Sequence, residues 1–356
     1  MLNKPEVYYL GPNGSFGHMA SKELFPDLDD GKLWTPRPTS PQPKIIDCVV
    51  GNSNSFGVVA VENTTSGVVS EDVLVIERSS RTSLRVVAEL DLEVQFGVYA
   101  RNDLGDMVHD FPLTATGINP KLFAHHITQE QCQNTIHFWN MRRHEQGLKD
   151  LELQTVQSNS EAARCVMENP EISFAITSRA AAGSLIKIST PVDRVKNHLV
   201  DEAWDNCVND HAPSRTRFWA IGHDVFPLIE NREGRCFKYK TSFLIFLDRT
   251  ESGVLCAALS PFKDAHIPVH LVFPCTIPGR GWEYTFLFEV EGHVLEEPLA
   301  TAYKKLLKMR WLFPVPPSWL GSYINLASLS APNEANSRTI ALDRVRKELM
   351  GLAKSP

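Results

Sequence analysis

Four times in its first 190 residues the chain repeats one pattern: a short apolar run, a polar turn, then a stretch of helical character. Val7 to Leu10 leads through Gly11-Pro12-Asn13-Gly14-Ser15-Phe16-Gly17 into a helix over His18 to Leu24. Phe56 to Glu62 ends in Asn63-Thr64-Thr65-Ser66-Gly67, ahead of a helix expected over Val68 to Ile76. Leu153 to Val156 runs into Ser158-Asn159-Ser160-Glu161 and an Ala-rich helix, and Ile172 to Ile176 into Thr177-Ser178-Arg179 and a small-residue helix. Strands alternating with helices define an α/β architecture. In open α/β sheets ligands collect beyond the carboxyl ends of the strands, where helix N-termini offer N–H groups to anions. The polar turns are therefore expected to converge on a small ligand with more than one carboxylate.

The totals narrow the class. A chain of 356 residues, 43% hydrophobic and 22% charged, fits two to three globular domains. Lys+Arg 36 against Asp+Glu 42 leaves a net charge of −6, which argues against nucleic acid as a partner. The 7 cysteines are scattered, odd in number and without C-x-x-C spacing, as in reduced cytoplasmic thiols rather than a disulfide frame or zinc site. No apolar stretch approaches membrane-spanning length, and the strand at Val7 leaves no room for a signal peptide. A soluble, cytoplasmic protein is expected. The spacing G-x-x-G-x-x-G is not the dinucleotide fingerprint, and a turn that merely joins strand to helix explains these glycines equally well. Adjacent His125 and His126 diverge on any regular element and lack a third ligand nearby, so no metal is expected. Thr128-x-x-Gln131 and Ser158-x-x-Glu161 read as capping boxes. Residues 34–43, with four prolines, read as an exposed loop.

Arg215-Thr216-Arg217-Phe218 closes the irregular polar stretch 201–214 and opens the apolar run to Ile221. Two guanidinium groups flanking a hydroxyl suit an acidic ligand, although the same residues also read as an ordinary strand start with its arginines in solvent. After a polar break at 231–235, strands over Thr241 to Leu247, Val269 to Phe273 and Glu283 to Val290 alternate with helices over Val254 to Phe262 and Leu295 to Met309. That βαββα order resembles a small ferredoxin-like module. A linker, Pro314-Val315-Pro316-Pro317, precedes a final amphipathic helix marked by Leu342, Val345, Leu349 and Leu352, docked on the body or on a second subunit.

Taken together these stretches resemble the prephenate dehydratase family, with an ACT-like module behind the catalytic domain. Gly11 to His18 is similar to that family's Gly-Pro-x-Gly-Thr-Phe-Ser-x motif, and Val61 to Gly67 to its Ile-Glu-Asn-Ser-x-x-Gly motif. Ala124-His125 through Gln131-Cys132 follows the Ser-His-Pro-Gln…Gln-Cys spacing, and Ser158 to Ala163 the helix start of the second lobe. Thr216-Arg217-Phe218 matches the Thr-Arg-Phe motif, while Lys240-Thr241-Ser242 and Gly253-Val254-Leu255 resemble the start of the ACT domain and its Gly-Ala-Leu motif. Five motifs in the right order are specific where one would not be.

The resemblance implies a catalytic domain over residues 1–230 with two periplasmic-binding-protein-like lobes, the second at about 101–190. A βαββαβ regulatory or dimerisation domain over 238–330 and a C-terminal helix over 333–356 would follow. It implies a homodimer or homotetramer, without cofactor, that turns prephenate into phenylpyruvate, water and carbon dioxide on the way to phenylalanine. Thr216, Arg217 and Phe218 would be the catalytic residues, Thr216 assisting hydroxide departure and Arg217 holding a carboxylate or shaping the pocket. Asn13, Ser15, Glu62, Asn63, Thr64, Ser158, Asn159, Ser160 and Arg215 would bind substrate, and Gly253, Val254 and Leu255 a regulatory amino acid. There are departures. Ala60, Ala124, His126 and Ser214 stand where the family has Pro, Ser, Pro and often Asn. The phenylalanine-binding Glu-Ser-Arg-Pro motif is absent near Phe273-Pro274-Cys275-Thr276. Two alternatives follow: a prephenate decarboxylase giving a non-aromatic dihydro product, against which Thr216 itself argues, and a non-catalytic binding or sensor protein.

Overall fold

The computed structural model describes residues 4–68, 84–108, 111–113, 119–188, 207–211, 213–229, 237–247, 252–277, 283–309, 315–326, 329 and 335–353. The helix expected over 68–76 lies almost wholly outside them, and so does the break at 231–235; Val68 itself is in a strand.

Three sheets organise the described chain. The first holds β1 (Glu6–Leu10), β2 (Thr35–Thr39), β3 (Ser55–Asn63), β4 (Gly67–Val68), β5 (Arg85–Glu93) and β11 (Arg215–Gly222), in the order β2-β1-β3-β11-β5 with β4 folded back on β3. β1, β2 and β3 run parallel, and β11 antiparallel to β3 and β5. Helices α1 (Phe16–Leu24) and α2 (Gln42–Gly51) serve separate cores, α1 packing Ala20 and Leu24 under Val58 and Phe218, α2 packing Ile45, Ile46 and Val49 under Val59 and Trp219. The second sheet, β6 (Gly97–Ala100), β7 (Lys121–His125), β8 (Glu152–Val156), β9 (Ser173–Thr177) and β10 (Ile186–Ile188), runs β10-β6-β9-β7-β8. Helices α3 (His126–Gln131), α4 (Gln133–Glu145), α5 (Asn159–Glu168) and α6 (Arg179–Ala182) accompany it.

The chain crosses between these lobes twice, and the crossings are tied together. Val94 N–H donates to Ser214 C=O at 2.8 Å, and Val208 N–H to Phe96 C=O at 2.9 Å. Buried Asn209 clamps the pair, donating to Val94 C=O and accepting from Phe96 N–H. This is the two-lobed α/β arrangement expected.

The third sheet, β12 (Tyr239–Phe246), β13 (Val269–Thr276), β14 (Tyr284–Glu291) and β15 (Ser318–Ile324), is antiparallel in the ferredoxin-like order β13-β14-β12-β15. Helices α7 (Val254–Asp264) and α8 (Glu297–Lys308) cover one face through Phe262, Leu299 and Leu306. Its other face buries Leu244, Cys275, Leu287, Leu320 and Tyr323 against Val59, Val61, Val86 and Trp219 of the first sheet. The approach is closest at Gly321, where a Cβ would stand 2.2 Å from the Val86 carbonyl oxygen and 3.0 Å from its nitrogen. Gly321→Ala must therefore push the two backbones apart. Overpacking of this kind costs about 1–3 kcal/mol or more, and the urea midpoint is expected to fall accordingly; an unchanged midpoint would refute this docking. The terminal helix α9 (Ala335–Leu352) takes the body of its own chain, seating Ala341, Val345 and Leu349 against Leu24, Phe25 and Leu90.

Two expectations are corrected. Residues 35–39 form an edge strand rather than a loop, because Pro36 and Pro38, two apart, turn their missing N–H positions to the unpaired side. Thr128 is not a cap: α3 begins at His126, and the Thr128 hydroxyl instead donates to Asn159 Oδ1 at 2.8 Å.

Candidate active site

The turns at the carboxyl edges of the two parallel strand sets touch each other, and the cleft is the space these edges face. From the first lobe comes the turn after β1. Its Ser15 caps α1, accepting from His18 N–H at 3.2 Å and donating to Leu10 C=O at 2.7 Å. Asn13 Oδ1 accepts from the Tyr9 hydroxyl at 2.8 Å. Gly14, at φ +85°, puts its N–H on His18 Nδ1, and the His18 Nε2 side is held by Asp29 at 2.7 Å. From the second lobe, Ser158 caps α5 by accepting from Glu161 N–H at 3.1 Å, and Glu161 accepts from Gln157 N–H in return. Asn159 is fixed by Thr128 and Thr177. The lobes touch here, with Ser160 Oγ donating to Asn13 C=O at 3.2 Å. A Cβ on Gly14 would come within 3.0 Å of Ala180 C=O, so that turn needs glycine for closeness as well as for its positive φ. The N-termini of α1 and α5 thus open side by side.

At the same edge Thr216 lies opposite Asn63, and Asn63 Nδ2 donates to Thr216 Oγ1 at 2.8 Å. The amide can sit only this way round. Its Oδ1 already accepts the N–H groups of Thr65 and Ser66, at 2.8 and 3.2 Å, in a turn of the kind Asn favours. With its oxygen receiving Asn63, the Thr216 hydroxyl keeps its own hydrogen free to donate to a ligand. Thr64 closes the strand end, exchanging hydrogen bonds with the Arg215 backbone.

The flanking residues behave differently. Neighbours along a strand face opposite ways, and Arg217 points to the reverse of the sheet. There it meets Glu62 at 2.8 Å, Glu89 at 2.8 Å and Glu289 of β14 at 2.7 Å. Burial would pull its guanidinium pKa down, but Glu289 and Glu89 hold it above the ordinary arginine value. Arg217 is thus spent on Glu62, on Glu89 and on Glu289 of the third sheet, and it draws Glu62 to the face opposite Asn63 and Thr216. Arg215 pairs with Asp91 at 2.5 Å and Glu93 at 2.8 Å, and Phe218 is a core residue of the first lobe. Gly253 starts α7, with Val254 and Leu255 packed into the helix-covered core of the third sheet. Glu89, Lys240 and Glu289 were missed as partners. A signal existed in Glu89, an acid in the apolar run Val86-Val87-Ala88-Glu89-Leu90, because a buried carboxylate requires a cation. Among the described residues, no group of three or more His, Cys, Asp or Glu is placed to hold a metal.

The described chain is thus a two-lobed α/β protein with a C-terminal antiparallel sheet, its α1 and α5 N-termini and the Asn63–Thr216 hydrogen bond at the carboxyl edges of the strands. The sequence model of the prephenate dehydratase family matches residues 7–225, and the chain belongs to that family. Prephenate dehydratase of Mycolicibacterium smegmatis is 26% identical over 334 residues, covering 92% of this chain and 93% of its own. Among solved structures, prephenate dehydratase of Arthrobacter aurescens in complex with L-Phe superposes with TM-score 0.66 at 18% identity, over 97% of this chain and 99% of that one. GqqA, described as a novel type of quorum-quenching acylase, superposes with TM-score 0.63 at 20% identity, over 92% and 98%. At such identities the structures speak to the fold alone.

Proposed function

We propose that this chain is a prephenate dehydratase, a carbon–oxygen lyase acting in the cytoplasm on the route to phenylalanine. The observation that carries the reading is the Asn63–Thr216 hydrogen bond, which leaves a threonine proton to donate at the edge where two helix N-termini open. The family match over residues 7–225 and the prephenate dehydratase relative support it. In the reaction the ring carboxylate leaves as carbon dioxide, and its bonding electrons enter the ring. The ring hydroxyl departs at the opposite carbon and is protonated to water, and an aromatic ring remains. Aromatisation supplies the driving force, so a weak acid such as threonine suffices as donor. The N-termini of α1 and α5 hold the two carboxylates by N–H groups and dipole, in place of the arginines. Residues 1–230 act as the catalytic domain. Residues 238–330 act as an ACT-like module that joins two or four subunits, with the helix over 333–356 behind it. Proton NMR of prephenate mixed with the protein is expected to give aromatic phenylpyruvate signals. Carbon dioxide with a non-aromatic ring would instead mark a decarboxylase, and binding without turnover a sensor.

A further inference from the structure

Behind the Asn63–Thr216 couple lies a closed arrangement of charge contributed equally by two units. The first sheet provides Glu89 and Arg217, and the third sheet provides Lys240 and Glu289. Arg217 touches Glu89 at 2.8 Å and Glu289 at 2.7 Å; Lys240 touches Glu89 at 2.8 Å and stands 3.9 Å from Glu289. The four signs alternate around the ring, and Glu62, a partly exposed fifth member, adds a carboxylate to Arg217 at its rim. The four are buried, Glu89 at 0%, Glu289 at 2%, Lys240 at 5% and Arg217 at 8% exposure. Ser242 and Tyr323 of the third sheet hydrogen-bond to each other at 2.7 Å beside Glu289.

The position of this ring matters more than its energy. Glu62 and Arg217 are the immediate chain neighbours of Asn63 and Thr216, and they pair on the reverse of the sheet as Asn63 and Thr216 pair on the cleft side. The pairing of β11 with β3 slips by one residue directly after Arg217. Such bulges re-aim side chains beside active sites. Pairing with β5 holds the register of β11 from Arg215 to Ala220, so what remains for side-chain contacts to set at the bulge is the direction of Arg217 and its neighbour, and Glu289 supplies the guanidinium's shortest contact to the third sheet. We infer that Glu289 and Lys240, on the C-terminal sheet, are positioning residues for the Asn63–Thr216 couple, acting through Arg217. This rests on the reading of Thr216 as the proton donor.

The test uses the full chain with its threonine methyl groups isotopically labelled. Glu289→Gln is expected to shift the Thr216 methyl resonance. It is also expected to lower kcat on prephenate by about tenfold to a hundredfold, the scale of a small misplacement, with KM changed less than about twofold. Glu289→Asp, which keeps the charge, stays nearer to the parent. In the double variant Lys240→Met with Glu289→Gln, charge balance returns and Glu89 is left to Arg217 alone, so kcat and the methyl signal move back towards the parent. An unmoved Thr216 methyl in folded E289Q, or losses from K240M and E289Q that simply add, would overturn the inference. Should E289Q fail to fold, E289D and the double variant decide on the same readouts. A parent protein with no turnover of prephenate defeats the proposed reaction, while the methyl shift still judges the positioning.

Discussion

Replacing Thr216 with Ala is expected to remove dehydration while leaving the protein folded and able to bind. A positioned proton donor contributes about 10²- to 10⁴-fold, so kcat should fall by that factor, with KM nearly unchanged because the helix N-termini that hold the carboxylates are untouched. Thr216→Ser, which keeps the hydroxyl, should retain measurable turnover. Asn63→Ala should give a smaller loss, because it removes the group that orients the hydroxyl rather than the hydroxyl itself. It also frees the Thr65 and Ser66 N–H groups, so its melting temperature must be read beside its rate. The measurement is steady-state kinetics on prephenate by the appearance of phenylpyruvate. Undiminished turnover in Thr216→Ala would move the donor to another group and empty the Asn63–Thr216 geometry of its meaning.

How much of this was legible in sequence depends on what kind of contact was being read. Local patterns were clear. Ser15 and Ser158 cap the helices they precede, and Asn63 turns the chain at the end of β3. The Thr-Arg-Phe strand runs at the expected place. Strand position within a sheet was not legible, because Pro36 and Pro38 read alike in a loop and on an edge strand. Nor was the direction of long side chains. Arg215 and Arg217 beside a hydroxyl looked like carboxylate ligands for substrate, but Asp91, Glu93, Glu62, Glu89 and Glu289 claim them. Arg217 and Glu289 are 72 residues apart in the chain, and only the docking of two sheets brings them together. No periodicity encodes that meeting. The alternation of β11 did contain half the answer, since Thr216 facing the cleft requires Arg217 to face away.

Glu89→Gln is expected to be the most destabilising single change in this region. The side chain is fully buried and touches both Arg217 and Lys240. Removing one partner from a buried charge cluster costs about 3–5 kcal/mol, because the remaining charges stay out of water without compensation. The pH dependence carries the same sign. Burial pushes the Glu89 carboxyl up, but the Lys240 and Arg217 charges outweigh it and bring the pKa down from 4.5 to about 2. A carboxyl depressed in the folded state stabilises it above its unfolded pKa and loses that contribution as pH falls towards the folded one. The parent should therefore lose stability between pH 4.5 and about 2, and Glu89→Gln should lack this share of the loss. Urea unfolding at neutral pH and through that window measures both. Equal midpoints at neutral pH would mean that water reaches the cluster and the two sheets are not sealed over it. A well-packed apolar replacement of all four groups could hold the sheets together as well. What such a replacement would lack is the Arg217 guanidinium itself, the group through which we infer that Glu289 and Lys240 position the Asn63–Thr216 couple.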